Sequence, residues 1–139
     1  MRNEHMTNEE WLTVYETPRR KVVKTRPTTL SEDSAERKEV PLYTGVLRYF
    51  PAALAEVAKV SKEGNDKHNP GQPLHHARGK SGDHGDCLLR HLMDFSDKPS
   101  ATEGASVAWR ALAMLQEWLE ENEGAPLAPG ARTESEVLD

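Results

Sequence analysis

The sequence has a single cysteine, Cys87, in 139 residues. One cysteine excludes an intrachain disulfide framework and a zinc site built on several cysteines, and it is typical of proteins in a reducing compartment. No apolar run approaches the about 20 residues that a membrane-spanning helix needs, and no signal-peptide pattern opens the chain. These absences predict a soluble, cytoplasmic protein without membrane contact.

Hydrophobic residues are also scarce, at 36% of the chain, and aromatic residues make up 6%. A chain this polar buries little apolar surface as a compact monomer, so we expect part of it to be disordered or its core to be completed by oligomerisation. Positive charge is not in excess either, because the net charge is -5. That balance argues against DNA binding. The negative net charge does not exclude a nucleotide substrate, since a local cationic loop with a metal ion is sufficient to bind a nucleotide.

Strand signals are absent as well, because no alternating β-branched runs are bounded by hairpin turns. Apolar residues instead recur with helical spacing, which predicts three helices over 52–63, 83–95 and 106–122. Four residues are placed to begin or end these helices: Pro51, Gly64, Ser81 and Gly124. The predicted fold class is therefore all-α, a small helical bundle with disordered or extended terminal arms.

Composition also predicts where the folded part begins and ends. Residues 1–36 are predicted to form a flexible arm, in which the capping-box spacing of Thr7-Asn8-Glu9-Glu10 predicts a short helix. Residues 37–123 form the all-α domain with the candidate catalytic residues. Residues 124–139, rich in glycine and proline, form a flexible tail. The role of the basic stretch 19–26 stays open between a solvated arm and a contact with phosphate or an acidic neighbour.

Charged and histidine side chains concentrate between Glu56 and Asp94. At helical spacing, one side of the second predicted helix carries Asp83, Asp86, Arg90 and Asp94. One side of the first carries Glu56, Lys59 and Glu63. Carboxylates that face each other across a helix pair suit a hard divalent cation, which prefers oxygen ligands and often bridges substrate phosphates. The pattern predicts a Mg²⁺ or Mn²⁺ site.

Each of these assignments has a simpler structural alternative. Acidic residues in a first helical turn, here Asp83 and Asp86, favour the helix dipole without any metal. Glu56 also fits the edge of a solvated helix face. A zinc site built from His68, His91 and Asp83 is a further alternative, although its spacing is unspecific.

Three motifs occur in an order that resembles a known enzyme superfamily. They are the loop GNDKHNPG, the helix start GKSGDHGDCLLRHL and the helix AWRALAMLQ. With these motifs, the stretch of about residues 37–122 resembles the all-α nucleotide pyrophosphohydrolases of the MazG-like superfamily, in particular the phage-associated dATP/dGTP diphosphohydrolase (MazZ-like) branch. The superfamily pairs an ExxE motif on one helix with an ExxD motif on the next. Asp83 and Asp86 match the second motif with Asp in its first position, whereas Glu56 alone represents the first.

The resemblance implies hydrolysis of a purine (deoxy)nucleoside triphosphate to the monophosphate and pyrophosphate, with Mg²⁺ or Mn²⁺ as cofactor. It implies Glu56, Asp83 and Asp86 as catalytic residues. The same residues, joined by Glu63, are the expected metal ligands. Expected phosphate- or nucleotide-binding residues are Lys59, Asn65, Lys67, His68, Asn69, Arg78, Lys80 and Arg90.

The resemblance also bears on biological context and assembly. Members of the branch accompany 2-aminoadenine DNA synthesis in some phages, where (d)GTP is cut to (d)GMP as a precursor. This ranks guanine above adenine, and it implies the host cell cytoplasm for a phage-encoded protein. Small enzymes of the superfamily assemble as dimers or tetramers, and the broad apolar face of the third predicted helix favours a homo-oligomer.

Two other functions stay open on the sequence. An HD-type metal phosphohydrolase would use histidine and aspartate ligands, and the pairs Asp83-His84 and Arg90-His91 invite that interpretation. A non-enzymatic helical protein that binds a partner would leave the acidic stripe solvated. Stabilisation by a divalent metal would exclude the partner-binding protein, because an ion that binds only the folded state must raise the melting temperature.

Overall fold

A computed structural model describes residues 28–133, and the predicted short helix after Thr7 and the basic stretch lie outside them. The described part is mostly helical, as the sequence predicts. The helices are α1 (Ser34–Lys38), α2 (Pro51–His68), α3 (His84–Asp97) and α4 (Ala101–Asn122), with one π-helical turn at Tyr43–Leu47. Two short strands, β1 (His76–Ala77) and β2 (Ala131–Arg132), complete the order. Within the described residues, every helix is too short or too polar to cross a bilayer.

Helix α2 begins at Pro51 as predicted, because a residue without an N–H is tolerated in the first turn. The prediction that Gly64 ends it is wrong, since the helix continues to His68. It ends at Asn69, whose backbone N–H still donates to the Asn65 carbonyl at 2.7 Å. Pro70 follows, and the residue before a proline is disfavoured in helical conformation. Proline therefore sets this end rather than glycine.

Helices α3 and α4 form an antiparallel hairpin with a short connection. The predicted start of α4 is too late, because the Ser100 hydroxyl accepts a hydrogen bond from the Glu103 N–H at 3.2 Å and caps the helix there. Helix α3 begins at His84, but Ser81 does not cap it; its hydroxyl donates to the Asp83 carboxylate at 2.9 Å. Gly124 follows α4 with φ of 73°, in the left-handed region that favours glycine, as predicted.

The C-terminal segment departs furthest from the sequence prediction. Strands β1 and β2 pair in parallel, with His76 opposite Ala131. The His76 N–H donates to the Gly130 carbonyl and the Arg78 N–H to the Arg132 carbonyl, both at 2.8 Å. Ala131 is 2% exposed. The described part of the expected flexible tail thus packs on the loop before α3, and a strand of two residues is too short to show alternation in the sequence.

The core is built from small residues. Its buried apolar members are Cys87, Ala105, Ala113, Ala125 and Ala131. Among residues 28–133, no large side chain is fully buried. Helix α4 packs against both α2 and α3. Small side chains at these contacts let the helices approach closely, and they leave the bulky apolar residues on the outer surface.

Candidate functional site

A pocket of about 580 Å³ lies where α2, the loop after it, α3 and α4 meet. Its wall includes two cations, Lys80 and Arg110, one carboxylate, Asp83, and the indole of Trp109. Several imidazoles also line it: His68, His75, His76 and His91. The pocket therefore gathers much of the histidine-rich stretch that the sequence singles out.

Two asparagines hold the loop that forms one wall. Asn65 is 6% and Asn69 is 7% exposed. The Asn65 amide donates to the Gln72 carbonyl at 3.1 Å and accepts from the His75 N–H at 3.4 Å. The Asn69 side-chain oxygen accepts from Lys80 Nζ at 3.0 Å. Both residues line the pocket, as their predicted nucleotide-binding role requires, but their side chains are already used to shape the loop.

Arg110 is the pocket cation that sequence reasoning missed. Its Nη1 donates to the Ser81 hydroxyl and to His84 Nδ1, each at 2.9 Å, and its guanidinium carbon lies 5.3 Å from the centre of the Trp109 ring. The signal in the sequence is an arginine inside the apolar run of the third predicted helix. A cation at such a position has to reach a polar partner, which here is the pocket wall.

Arg78 was predicted to bind phosphate, and the structure places it elsewhere. Its guanidinium forms a two-pronged ion pair with Glu120, with Nη2–Oε2 at 2.8 Å and Nε–Oε1 at 3.1 Å. The two side chains are 11% and 10% exposed. Burial raises the pKa of Glu120, but hydrogen bonds from Arg78 and Gln116 outweigh it and hold that pKa below its usual value. Arg78 therefore connects the loop to α4 and does not line the pocket.

The four predicted metal ligands are not brought together. Asp83 alone of the four lines the pocket. Glu56 lies nearer the start of α2, in a separate hollow it shares with Phe95 and Gly104, and accepts from Lys59 at 2.7 Å. Glu63 and Asp86 are exposed and line neither space. Among residues 28–133, none of the four belongs to a group of ligand atoms within 4.8 Å of one another.

The packing of the helices explains this difference, because α2 and α3 both pack against α4. The sequence interpretation aligned the two stripes as if they faced each other, whereas α3 contacts α4 and presents Asp86 to solvent. The alternative zinc set of His68, His91 and Asp83 fails on distance too, although all three line the pocket.

The remaining predicted phosphate ligands divide between the pocket and the surface. His68 and Lys80 line the pocket. Lys67 and Arg90 are exposed and do not. Lys59 is exposed, and its hydrogen bond to Glu56 raises its pKa.

Asp83 is held ionised at the pocket mouth. Hydrogen bonds from the Ser81 hydroxyl and then from the Cys87 thiol lower its pKa, and Arg90 Nη2, 3.7 Å from its Oδ2, adds to the effect. Arg90 also donates to the Cys87 sulfur at 2.9 Å. A carboxylate fixed in this way can accept hydrogen bonds from a substrate or from water at neutral pH.

The structure instead brings together two other groups of metal-competent side chains, each with its ligand atoms within 4.8 Å of one another. The first is His91, Asp94 and Glu103. The second is His76, His84 and Glu117. His91 and His76 also line the pocket, so each group borders it.

The second group is rich in buried imidazole. His84 is 7% exposed, and its Nε2 lies 2.6 Å from Glu117 Oε2 without the alignment of a hydrogen bond. Burial, followed by the nearby Arg78, lowers the pKa of His76 to about 4. His76 is therefore neutral at physiological pH.

Comparison with protein-family models, with curated proteins and with solved structures gives no match for this chain. The resemblance of residues 37–122 to nucleotide pyrophosphohydrolases thus depends on the three motifs, and it stays a prediction.

Proposed function

We propose that this protein hydrolyses purine (deoxy)nucleoside triphosphates to the monophosphate and pyrophosphate in a metal-dependent reaction. The observation that supports this most directly is the composition of one pocket. Its wall combines Lys80 and Arg110 with His91, which belongs to a group of side chains able to hold a divalent cation. A triphosphate needs both kinds of partner, because its charge has to be neutralised on leaving and non-leaving oxygens alike.

Hydrogen bonds to neighbouring side chains position both cations. Lys80 Nζ is anchored by Asn69 and Arg110 by Ser81, and each keeps further N–H donors for a ligand. Donors that are fixed before the substrate binds stabilise developing charge without reorganisation at the moment of reaction. We therefore assign Lys80 and Arg110 to the phosphate chain.

In the proposed reaction a water oxygen forms a bond to the α-phosphorus and releases a proton to solvent, while the bond from that phosphorus to the bridging oxygen of the β-phosphate breaks. A bound divalent cation would supply Lewis acidity to phosphate oxygens or to the water. Asp83 is the pocket carboxylate that can orient the water, a role the sequence interpretation gave to Glu56. The leaving pyrophosphate carries away the negative charge, which Lys80 and Arg110 neutralise.

The pocket also offers an apolar wall for a purine. Trp109 packs edge-on against His76, with ring centres 4.9 Å apart, and so presents a rigid aromatic surface. A volume of about 580 Å³ is within the about 300–1,000 Å³ typical of small-molecule sites. The preference for guanine over adenine comes from the family resemblance alone.

The test is product analysis by chromatography with the full chain, each canonical NTP and dNTP, and Mg²⁺ or Mn²⁺. We expect (d)GTP to give (d)GMP and pyrophosphate. Lys80→Met and Asp83→Asn should each lower kcat/KM by about 10²–10³-fold, the effect of losing one preorganised polar group. Glu56→Gln and Asp86→Asn are matched carboxylate controls outside the pocket and should keep most activity.

The other functions predict other products. Inorganic phosphate or triphosphate in place of pyrophosphate would favour an HD-type phosphohydrolase. No turnover of any nucleotide would exclude the enzyme and leave a helical partner-binding protein. Loss of activity in Asp86→Asn but not in Asp83→Asn would move the reaction away from this pocket.

We also propose that the chain acts as a dimer or tetramer. Bulky apolar residues are half-exposed along both α3 and α4, including Leu89, Met93, Leu112, Leu115 and Trp118. Contiguous apolar surface of this kind is rarely left in water by a stable monomer. A second copy of the chain would cover it.

A further inference from the structure

We infer that His91, Asp94 and Glu103 form a divalent metal site at the border of the pocket. The site would carry the cation of the proposed function, and its catalytic use rests on that function, whereas metal binding itself does not. Its ligand atoms lie within 4.8 Å of one another. Metal–ligand bonds of about 2.1 Å place neighbouring ligand atoms about 3.0 Å apart and opposite ones about 4.2 Å apart. Small side-chain movements are therefore enough to close the site around an ion.

Backbone structure fixes where these three side chains meet. His91 and Asp94 are three positions apart on α3, so they lie on one face of that helix. Glu103 is in the first turn of α4, where the Ser100 cap fixes its N–H. The short connection between the helices then brings Glu103 back to His91. The group is thus positioned by a helix hairpin rather than by a mobile loop.

His91 and Glu103 already share a proton at the position an ion would take. His91 Nδ1 lies 2.7 Å from Glu103 Oε2. A cation bound between them would replace that proton, with the imidazole donating its lone pair and the carboxylate its charge. The two side chains are 34% and 30% exposed, so an ion can enter from solvent, and His91 faces the pocket as well.

The other group, His76, His84 and Glu117, is excluded by its hydrogen bonds. Arg110 donates to His84 Nδ1 and Arg78 donates to His76 Nδ1. Arginine can only donate, so each Nδ1 uses its lone pair and each neutral ring carries its proton on Nε2. Neither ring then has a free lone pair for a metal. Two guanidinium groups beside the rings would also repel a cation.

The ligand types indicate which cation fits. One imidazole and two carboxylates carry a total charge of −2, which complements a divalent ion. Imidazole is a poor ligand for Mg²⁺, which prefers oxygen, and a good one for Zn²⁺ and other transition metals. We therefore expect Mn²⁺ and Zn²⁺ to bind more tightly than Mg²⁺.

The test is Mn²⁺ binding to the full chain without nucleotide, followed by electron paramagnetic resonance and calorimetry. We expect one Mn²⁺ per chain, displaced by Zn²⁺. Asp94→Asn and Glu103→Gln should each weaken binding by at least about tenfold, as expected for loss of one charged ligand. Asp94 is exposed, so its replacement leaves the fold intact, which circular dichroism would verify. Glu117→Gln and Asp86→Asn are matched controls and should bind as the unchanged chain does.

Two results would overturn the site. One is Mn²⁺ binding that survives both Asp94→Asn and Glu103→Gln. The other is absence of binding to the unchanged chain, which would make the His91–Glu103 contact a structural tether only. The proposed function fails separately, if Mn²⁺ binds as expected but no nucleotide is hydrolysed.

Discussion

At the scale of single residues, burial decides what a charged side chain does. Arg78 and Lys80 are two positions apart in the same basic loop. Arg78 is almost fully buried against Glu120, whereas Lys80 points one donor at Asn69 and lines the pocket. The two residue types look equivalent as phosphate ligands in the sequence. Only the fold separates the structural cation from the one that is available to a ligand.

The buried pair leads to a stability prediction. We expect Arg78→Met to lower the free energy of unfolding by about 3–5 kcal/mol, because removal of one partner leaves the other charge buried without compensation. The measurement is urea unfolding followed by circular dichroism. Lys62→Met is the matched control, since Lys62 and Asp66 pair at 2.6 Å with both side chains mostly exposed.

An exposed pair of this kind contributes less than about 1 kcal/mol. Equal losses in the two variants would show that the Arg78–Glu120 pair does not hold the loop to α4.

Sequence reasoning identified some of the pocket residues and missed others for a physical reason. His68, Asn69, Lys80 and Asp83 were predicted, because they follow one another along a loop rich in polar residues. Arg110 was not, because it comes from a helix that is distant in sequence and joins the pocket only through packing. A local sequence pattern indicates which residues are close along the chain, whereas a site is formed by residues that are close in space.

At the scale of elements, apolar periodicity predicted the existence of the three long helices but not their ends. Proline after Asn69 and the Ser100 cap set two of those ends. Both signals are present in the sequence, but each competes with another. Gly64 predicts an earlier end of α2, and the polar run before residue 106 predicts a later start of α4. Glycine stays helical in α2 because the residues on both sides continue the hydrogen-bond pattern.

Two of the helical glycines, Gly64 and Gly104, lead to different predictions. A Cβ at position 64 would meet nothing within 4 Å, so Gly64→Ala should raise the free energy of unfolding by about 0.5–1 kcal/mol through lower backbone entropy of the unfolded chain. A Cβ at position 104 would lie 3.0 Å from the Phe95 ring. We expect Gly104→Ala to give no such rise in the free energy of unfolding, because the Phe95 ring has to move.

Thermal unfolding of both variants checks this pair. A stabilisation of Gly104→Ala equal to that of Gly64→Ala would show that Phe95 is free to rotate away.

At the scale of the whole molecule, the core is small and many bulky apolar side chains are exposed, as expected for one subunit of a larger assembly. Alanines fill the contacts of α4, while Met93 is 70% exposed and Leu115 is 55% exposed. The sequence anticipated this through its low hydrophobic content. It did not show which faces stay open, because that depends on how α3 and α4 pack against each other.

The proposed assembly leads to a prediction about mass in solution. We expect size-exclusion chromatography with light scattering to give a dimer or tetramer, and Leu115→Glu to shift it towards the monomer, since a buried unpaired carboxylate opposes association. Leu74→Glu is the matched control, because Leu74 is 60% exposed in the loop, away from both helices. A monomeric unchanged chain, or equal dissociation of both variants, would contradict this interface.

The pairing of β1 with β2 also has a consequence for how the chain folds. A contact between residues 76 and 131 closes a long loop, and such closure occurs after local contacts have formed, because its entropy cost is compensated only by structure already in place. The hairpin of α3 and α4 can form early from local contacts. The loop that bears His76 and Arg78 reaches its final position only when the last described residues have been synthesised and docked. The pocket wall is therefore completed last, and amide-exchange protection at His76 and Arg78 would report that final step.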